Sequence, residues 1–464
     1  MKANKFIGDK KFYRMVLIVA IPIMIQNGIT NFVSMLDNIM VGQIGTEQMS
    51  GVAIVNQLMF VFNICIFGAI SGAGIFGAQF YGNGNHEGVR NAFRFKLIVC
   101  GVMALIGISA FLNFGPQLIS QFLHDGGEVG DIGQTLYYGR EYLKVMLLGM
   151  IPFAIMQAYA STLRETGETL LPMKAGITAV FVNLIFNYIL IFGKFGAPTL
   201  GVKGAAIATV ISRIIECLIV VIWTHRHKEK NKFIVEVYRH FRIPRHLINQ
   251  IVLKGFPLML NEAFWSAGMA IMTQCYSVRG LAVVAGINIS STISNVFNIV
   301  FIALGSSVAI IVGQLLGADK KEEAKDTDTK LIFFSVVSCI FIGILLMLIA
   351  PVFPLIYNTT EEVRSLATDF IKIVALCMPL HAFNHASYFT LRSGGKTIVT
   401  FLFDSVFTWV VSIPTAFLLT RYTDLHIVMV YFICQSLELI KCFIGFTLVK
   451  KGIWIQNIVE TKRV

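Results

Sequence analysis

The sequence predicts an all-α integral membrane protein with twelve transmembrane helices, arranged as two pseudo-symmetric six-helix bundles. Its 464 residues are 56% hydrophobic and only 14% charged, whereas a soluble protein carries about 25% charged residues. The mean hydropathy is +0.72. The runs 97–112 and 331–350 contain no charged residue, and a bilayer is spanned by about 20 apolar residues. This composition excludes soluble enzymes, secreted disulfide scaffolds and disordered proteins.

Apolar segments recur along the whole chain, separated by connections that carry charges, glycines or prolines. Segments of this length predict helices that cross the bilayer, and the connections mark where each helix ends. The predicted helices span residues 13–41, 51–80, 97–115, 135–159, 175–192, 204–223, 255–276, 282–316, 331–352, 365–389, 397–420 and 427–449.

The second half of the chain repeats the first. Residues 22–82 align with 257–317 without a gap at an offset of 235, and 13 of the 61 positions are identical. Further on the offset becomes 228, where the tripeptide 162–164 matches 390–392. Six helices per copy is an even number, so both copies enter the membrane in the same orientation as parallel repeats. Two such bundles around a central cleft are typical of secondary transporters.

We therefore predict three parts: an amino-terminal six-helix bundle over 1–223, a basic cytoplasmic linker over 224–254 and a carboxy-terminal six-helix bundle over 255–464. The linker reads THRHKEKNKFIVEVYRHFRIPRHLINQIVLK. Its basic composition predicts that part of it lies on the anionic inner leaflet.

The net charge of +12 reflects membrane topology. Most of the 38 lysines and arginines fall in the segments that face the cytoplasm if the amino terminus is cytoplasmic, as the positive-inside rule requires. We expect a multi-pass protein of the plasma (cytoplasmic) membrane with both termini inside, acting as a monomer and without a nucleic-acid partner.

Ionisable groups within transmembrane helices are costly, so each is a candidate functional residue. Asp37, late in the first helix, has no basic residue within four positions. Asn183 and Asn187 share one helix face, and Thr209 follows in the next helix. Together they would form a cation-coupling site in which Asp37 either takes up a proton or binds Na⁺ with the help of the amide and hydroxyl oxygens. The alternative is that the two amides hold neighbouring helices together.

A second set lies in the carboxy-terminal half. Glu262 follows Pro257 by five residues, and its repeat mate is Asn27, so the halves differ in charge. Glu262 is a candidate for cation coupling and for the substrate cavity. The other cavity candidates are His381, His385, Asp404 and Trp265. The spacing also predicts local i,i+3 ion pairs between Arg213 and Glu216 and between Glu438 and Lys441.

Several motifs resemble the multidrug and toxic compound extrusion (MATE) family of secondary transporters. MLDNIMVGQIG (35–45) is similar to its first-helix signature, and GAQFYGNGN (77–85) and GQLLGADKKEEA (313–324) are similar to a motif found in each half. LRETGETLLP (163–172) followed by the block 183–213 is the most specific part of the resemblance.

The resemblance implies export of organic, often cationic, drugs and metabolites in exchange for H⁺ or Na⁺. It maps an amino-lobe cation site onto Asp37, Asn183, Asn187 and Thr209. Members with a proton-type site often have Asp where this chain has Asn187. Another branch uses a seventh-helix Glu, which Glu262 resembles, together with a tenth-helix Asp at the place of His381. The chain fits neither pattern fully.

The sequence thus predicts a cation-coupled antiporter that needs no cofactor besides its coupling ion. The pattern GxxxxGK[ST] is absent from the sequence, as are a GxSxG motif and a His-rich cluster, so neither an ATP-driven pump nor a membrane-embedded enzyme is predicted. The alternative is a flippase of a lipid-linked saccharide or lipid. We would expect that protein to line its cavity with several Arg and Lys side chains.

Overall fold

The computed structural model describes residues 6–121, 131–240 and 242–459. Within these ranges helix is the only regular secondary structure. The first half contains α1 (Lys10–Gly42), α2 (Thr46–Gly82), α3 (His86–Ser120), α4 (Ile132–Met146), a 3₁₀ turn (Leu147–Gly149), α5 (Met150–Glu165), α6 (Leu170–Phe192) and α7 (Val202–Arg226).

The second half begins after a 3₁₀ turn (Lys232–Ile234) in the linker. It contains α8 (Arg245–Ser277), α9 (Leu281–Gly317), α10 (Lys321–Ile349), a 3₁₀ turn (Phe353–Ile356), α11 (Glu361–Ser393), α12 (Thr397–Phe401), two π-helical segments (Leu402–Val406 and Thr408–Ser412), α13 (Ile413–Tyr422), α14 (Ile427–Ser436) and α15 (Glu438–Lys450).

Eleven helical segments in the described ranges are long and apolar enough to cross a membrane. The twelfth predicted span corresponds to α8, which has 33 residues but carries Asn261 and Glu262 in its apolar stretch. These polar side chains lower the mean hydropathy of α8, but the helix is still long enough to cross the bilayer. The all-helical membrane fold predicted from the sequence is confirmed.

The sequence repeat is visible in the helix boundaries. Both α1 and α8 have 33 residues, and both α2 and α9 have 37. The members of each pair are displaced along the chain by the offset of the sequence repeat. Pro22 and Pro257 lie at the same position inside α1 and α8. A proline inside a helix removes a backbone hydrogen bond, so the two copies share the same interruption.

The described helices belong to two compact units. The amino-terminal unit comprises Ile25–Gly77 and His86–Asn249, and the carboxy-terminal unit comprises Met1–Met24, Ala78–Asn85 and Gln250–Val464. The carboxy-terminal unit thus includes the first half of α1 and the end of α2. The boundaries predicted at 223 and 255 stay a prediction, and the two chain ends, 1–5 and 460–464, lie outside the described residues.

The carboxy-terminal unit contains two large apolar clusters and a smaller one among the described residues. In one large cluster, Phe12 and Val16 of α1 pack together with Leu304 and Val308 of α9. The other large cluster contains Phe370 of α11, whose ring centroid lies 4.7 Å from that of Tyr431. Because lipid is as apolar as these side chains, close van der Waals packing rather than water exclusion holds such helices together.

The linker packs on the amino-terminal unit. Phe233, Ile234 and Val237 are buried, and the ring centroid of Phe233 lies 5.3 Å from that of Phe93 on α3. Arg94 donates hydrogen bonds to the carbonyls of Val237 (2.8 Å) and of the residue before it. The middle of the linker therefore packs against protein, and the association of other parts of it with the inner leaflet stays a prediction. Phe241 of the linker lies outside the described residues.

Candidate functional site

The predicted amino-terminal site is assembled by three helices. The Nδ2 atom of Asn187 donates to Asp37 Oδ1 at 2.6 Å and to Asn183 Oδ1 at 3.0 Å. The amide of Asn183 lies 3.3 Å from Thr209 Oγ1. Exchanging the oxygen and nitrogen of that amide places its nitrogen 2.8 Å from Asp37 Oδ1 and its oxygen 3.3 Å from Thr209 Oγ1. All four predicted residues therefore lie within one hydrogen-bonded group.

The helical repeat of α6 explains this convergence. Asn183 and Asn187 are one turn apart, so both point to the same side, and both are buried. Thr209 lies on α7 and also donates to the carbonyl of Ala205 at 3.0 Å. Asp37 is only partly buried. The site therefore combines two buried amide side chains with a carboxylate that remains partly exposed.

The group offers oxygen ligands, and no basic side chain of the described residues neutralises its carboxylate. Among the described residues, Asp37 makes no ion pair with Lys, Arg or His. The Oδ1 atom of Asn187 is buried and has no hydrogen-bond partner in the described structure. Carboxylate, amide and hydroxyl oxygens are the ligands that hard cations prefer. The same carboxylate can instead be neutralised by a proton.

Two further polar residues adjoin this site. Tyr142 on α4 donates to Asn56 Oδ1 at 3.2 Å and is within electrostatic range of Asp37 and Arg213. The sequence did not single out Tyr142 or Asn56. No spacing rule connects α2, α4 and α1, so only their packing brings these residues together.

The predicted carboxy-terminal residues surround a buried ion pair. Lys441 Nζ lies 2.6 Å from Asp404 Oδ1, and Asn261 Nδ2 donates to Asp404 Oδ2 at 3.1 Å. Ser405 Oγ donates to Asn261 Oδ1 at 2.7 Å. The sequence predicted Glu438 as the partner of Lys441; in the described structure Lys441 instead contacts Asp404 on another helix, while Glu438 remains within electrostatic range.

The remaining cavity candidates are distributed unevenly around this pair. Glu262 is partly buried and within electrostatic range of Asp404 and Arg392. His385 is also an electrostatic neighbour of Asp404. The Nδ1 atom of His381 lies 4.0 Å from Glu438 Oε2. Trp265 is 43% exposed.

A second buried ion pair, in the amino-terminal unit, was not predicted. Lys96 Nζ lies 2.5 Å from Glu165 Oε2 and 2.6 Å from Oε1. Ser161 and Thr162 accept from the same ammonium at 3.0 and 3.1 Å. The side chain of Lys96 is completely buried. The predicted helices stopped short of both residues, but α3 already begins at His86 and α5 continues to Glu165, which places the pair inside the helical bundle.

The comparisons with known proteins agree with the repeated fold. A family model described as MatE matches residues 22–189 and 257–418. The starts of the two matches, at 22 and 257, are separated by the offset of the sequence repeat, and together the matches cover more than half of the chain. The chain belongs to the MatE family. Its members are membrane transporters, so this chain is a multi-pass membrane transporter and not an enzyme.

Individual MatE relatives align over nearly the whole chain. The probable multidrug resistance protein NorM of Thermotoga maritima is 27% identical over 413 residues, covering 88% of this chain and 85% of the relative. The probable multidrug resistance protein YoeA of Bacillus subtilis is 23% identical over 429 residues, covering 90% and 89%.

A solved structure shows the same fold. It is described as the outward-facing conformation of a multidrug resistance MATE family transporter of the MOP superfamily. It matches with a TM-score of 0.85 at 18% identity and covers 97% of both chains. The family and fold class predicted from the sequence are confirmed.

Proposed function

We propose that this MatE protein is an antiporter that exports organic, cationic or amphipathic drugs and metabolites in exchange for H⁺ or Na⁺. Relatives named as multidrug resistance proteins support the export of drugs. The observation that carries ion coupling is the Asp37 site, where a partly buried carboxylate meets two buried amides and a hydroxyl.

The proposed cycle follows from the charge of Asp37. An entering cation neutralises the carboxylate, and the neutral and charged forms of the site favour different conformations. Coupling requires that the ion-bound form holds the substrate more weakly, because a ligand shifts a conformational equilibrium only by its differential affinity. One charge moving across about 100 mV supplies about 2.3 kcal/mol. For an exchange that moves one net charge inward, that corresponds to a roughly fiftyfold substrate gradient.

Location and assembly belong to the same proposal. The distribution of Lys and Arg supports a cytoplasmic location for both termini, and the membrane of this proposal is the plasma membrane. Each copy of the repeat supplies half of a transporter, so a single chain is expected to act as a monomer. No cofactor is required beyond the coupling ion.

The test is efflux of ethidium from proteoliposomes with Na⁺ and pH gradients imposed separately. We expect one gradient to drive efflux and Asp37→Asn to abolish that driven component. Asn113→Ala is the matched control, because Asn113 is an exposed helix residue that bonds only within α3, to Ser109. Its driven efflux should equal that of the parent.

Two outcomes would contradict the proposal. If Asp37→Asn responds to the gradient like the parent, coupling through this carboxylate is wrong. If neither gradient moves ethidium, antiport of organic cations loses its support. The flippase alternative would then be tested by transbilayer movement of a fluorescent lipid in the same vesicles.

A further inference from the structure

The two repeats place equivalent residues around one polar position in each unit. Asn261 is the mate of Gln26 at the offset of 235, and Asp404 is the mate of Gly176 at the offset of 228. In the carboxy-terminal unit Asn261 donates to Asp404 at 3.1 Å. In the amino-terminal unit a Cβ on Gly176 would lie 3.2 Å from Gln26 Nε2. The contacts thus confirm that the two positions are equivalent.

The last helix of each repeat supplies the third residue at this polar position. A Cβ on Gly176 would lie 3.5 Å from Glu216 Oε1, whereas Asp404 at the equivalent position contacts Lys441. These helices begin at Val202 and Ile427, and Glu216 and Lys441 follow those starts at the same distance along the chain. Where one unit has a carboxylate on this helix, the other therefore has an ammonium.

The charge pattern is inverted between the units. In the amino-terminal unit Glu216 attracts Arg164, which donates to Gln26 at 2.9 Å, and Gly176 adds no charge. In the carboxy-terminal unit the position equivalent to Gly176 carries the carboxylate of Asp404, and Lys441 of the last helix supplies its counter-ion. Lys441 therefore introduces a cation into the carboxy-terminal unit at a position that the other repeat gives to an anion.

The surroundings of the Lys441 ammonium are those of a bound organic cation. The ammonium lies 2.6 Å from Asp404 Oδ1 and 5.5 Å from the ring centroid of Phe403. A carboxylate together with an aromatic face recognises organic ammonium groups. Na⁺ prefers a shell of oxygen ligands instead.

The position of the Asp404–Lys441 ion pair also allows a ligand to separate the two charges. Asp404 lies in one of two neighbouring π-helical segments of its helix, and π-helical turns are frequent at functional sites. The Asp404 side chain retains 19% exposure. The carboxylate is therefore not sealed behind the lysine.

We propose that Lys441 is a tethered competitor for organic cations at Asp404 and thereby sets the affinity of the carboxy-terminal unit for cationic substrates. The cationic group of a substrate displaces the ammonium of Lys441 and takes its place against Asp404 and Phe403, with Asn261 holding the other carboxylate oxygen. This inference rests on the proposed export of organic cations, but its test measures binding and needs no ion gradient.

The experiment is a titration of the purified protein in detergent with ethidium, followed by fluorescence anisotropy at constant ionic strength. Lys441→Ala removes the competing charge and its stem. We expect about tenfold tighter ethidium binding than in the parent, because a like charge beside the ligand is lost. Lys441→Arg keeps a cation and should bind ethidium like the parent.

The decisive comparison is the double variant Lys441→Ala/Asp404→Asn. The gain in affinity should vanish there, because the carboxylate that Lys441 had neutralised is itself replaced by a neutral amide. If Lys441→Ala binds ethidium no more tightly than the parent, or if the double variant keeps the gain, the proposal is overturned. If neither ion gradient drives ethidium efflux but the variants show the expected changes in ethidium affinity, antiport alone is contradicted.

A stability measurement covers the case in which Lys441→Ala folds poorly. Ligand binding to the folded state raises the melting temperature, so ethidium should raise that of Lys441→Ala by more than that of the parent. The double variant should show no such excess. An equal rise in all three proteins would contradict a site at Asp404.

Discussion

Buried charges in this protein find their partners on other helices rather than along their own. Asp37 contacts Asn187, Lys441 contacts Asp404, and Lys96 contacts Glu165. Polar groups inside a bilayer have no water to solvate them, so each must meet a partner within the protein. Sequence spacing predicts partners three or four residues away. That rule holds for Asn183 with Asn187 but misses Asp404, the carboxylate that Lys441 contacts directly.

The Lys96–Glu165 pair provides a prediction at this scale. We expect Lys96→Met to destabilise the protein by about 3–5 kcal/mol, because it leaves a buried carboxylate without its cation. Glu165→Gln should also destabilise it. The double variant Lys96→Met/Glu165→Gln should lose less than the sum of the single losses, as measured by unfolding in detergent. Strictly additive losses would show that the two charges are not coupled.

At the scale of helices, glycines set how closely the repeats' second helices pass each other. A Cβ on Gly82 of α2 would overlap the backbone of Gln314 on α9, and one on Gly317 of α9 would overlap the backbone of Gln79. These residues are repeat mates, so the crossing is reciprocal. Gln79 is fully buried and donates to the carbonyl of Ser393 at 2.9 Å. The crossing therefore fixes side chains as well as backbones.

Gly82→Ala and Gly317→Ala should each lower the melting temperature. The added methyl group has no space between two backbones, and overpacking of this kind costs about 1–3 kcal/mol. Gly101→Ala is the control, because no atom lies within 4 Å of the Cβ it would add. It should leave stability unchanged or raise it slightly, since alanine favours helix. A Gly82→Ala protein as stable as Gly101→Ala would contradict this packing.

At the scale of the whole molecule, the repeat and the charge distribution carry different information. The family match over 22–189 and 257–418 and the matching lengths of the paired helices establish two copies of one unit. Lys and Arg placement determines which side of the membrane each loop faces. Orientation is therefore a prediction from charge, separate from the fold.

Cysteine labelling tests that orientation. In a background with Cys65→Ala and Cys442→Ala, a membrane-impermeant maleimide should label Phe195→Cys in intact cells, because residue 195 is 88% exposed in a loop predicted to be external. Lys230→Cys in the linker should be labelled only after permeabilisation. Labelling of Lys230→Cys in intact cells would contradict the proposed topology.

The sequence by itself determined the helical membrane fold and the repeat, and it named the residues that meet at Asp37 as candidates. These depend on composition, on segment length and on the spacing of Asn183 and Asn187, all of which are local. Its description of the carboxy-terminal half was less complete. It named Asp404 and Glu262 but did not predict the contact between Lys441 and Asp404.

Only the tertiary structure decided which charges pair, because the partners come from helices far apart in the chain. Lys96 and Glu165 are separated by 69 residues and Asn187 and Asp37 by 150. The structure likewise decided that Phe233 packs on α3 and that the start of α1 joins the carboxy-terminal unit. Periodicity states which face of a helix is apolar, but the choice of neighbour depends on how complete helices pack together.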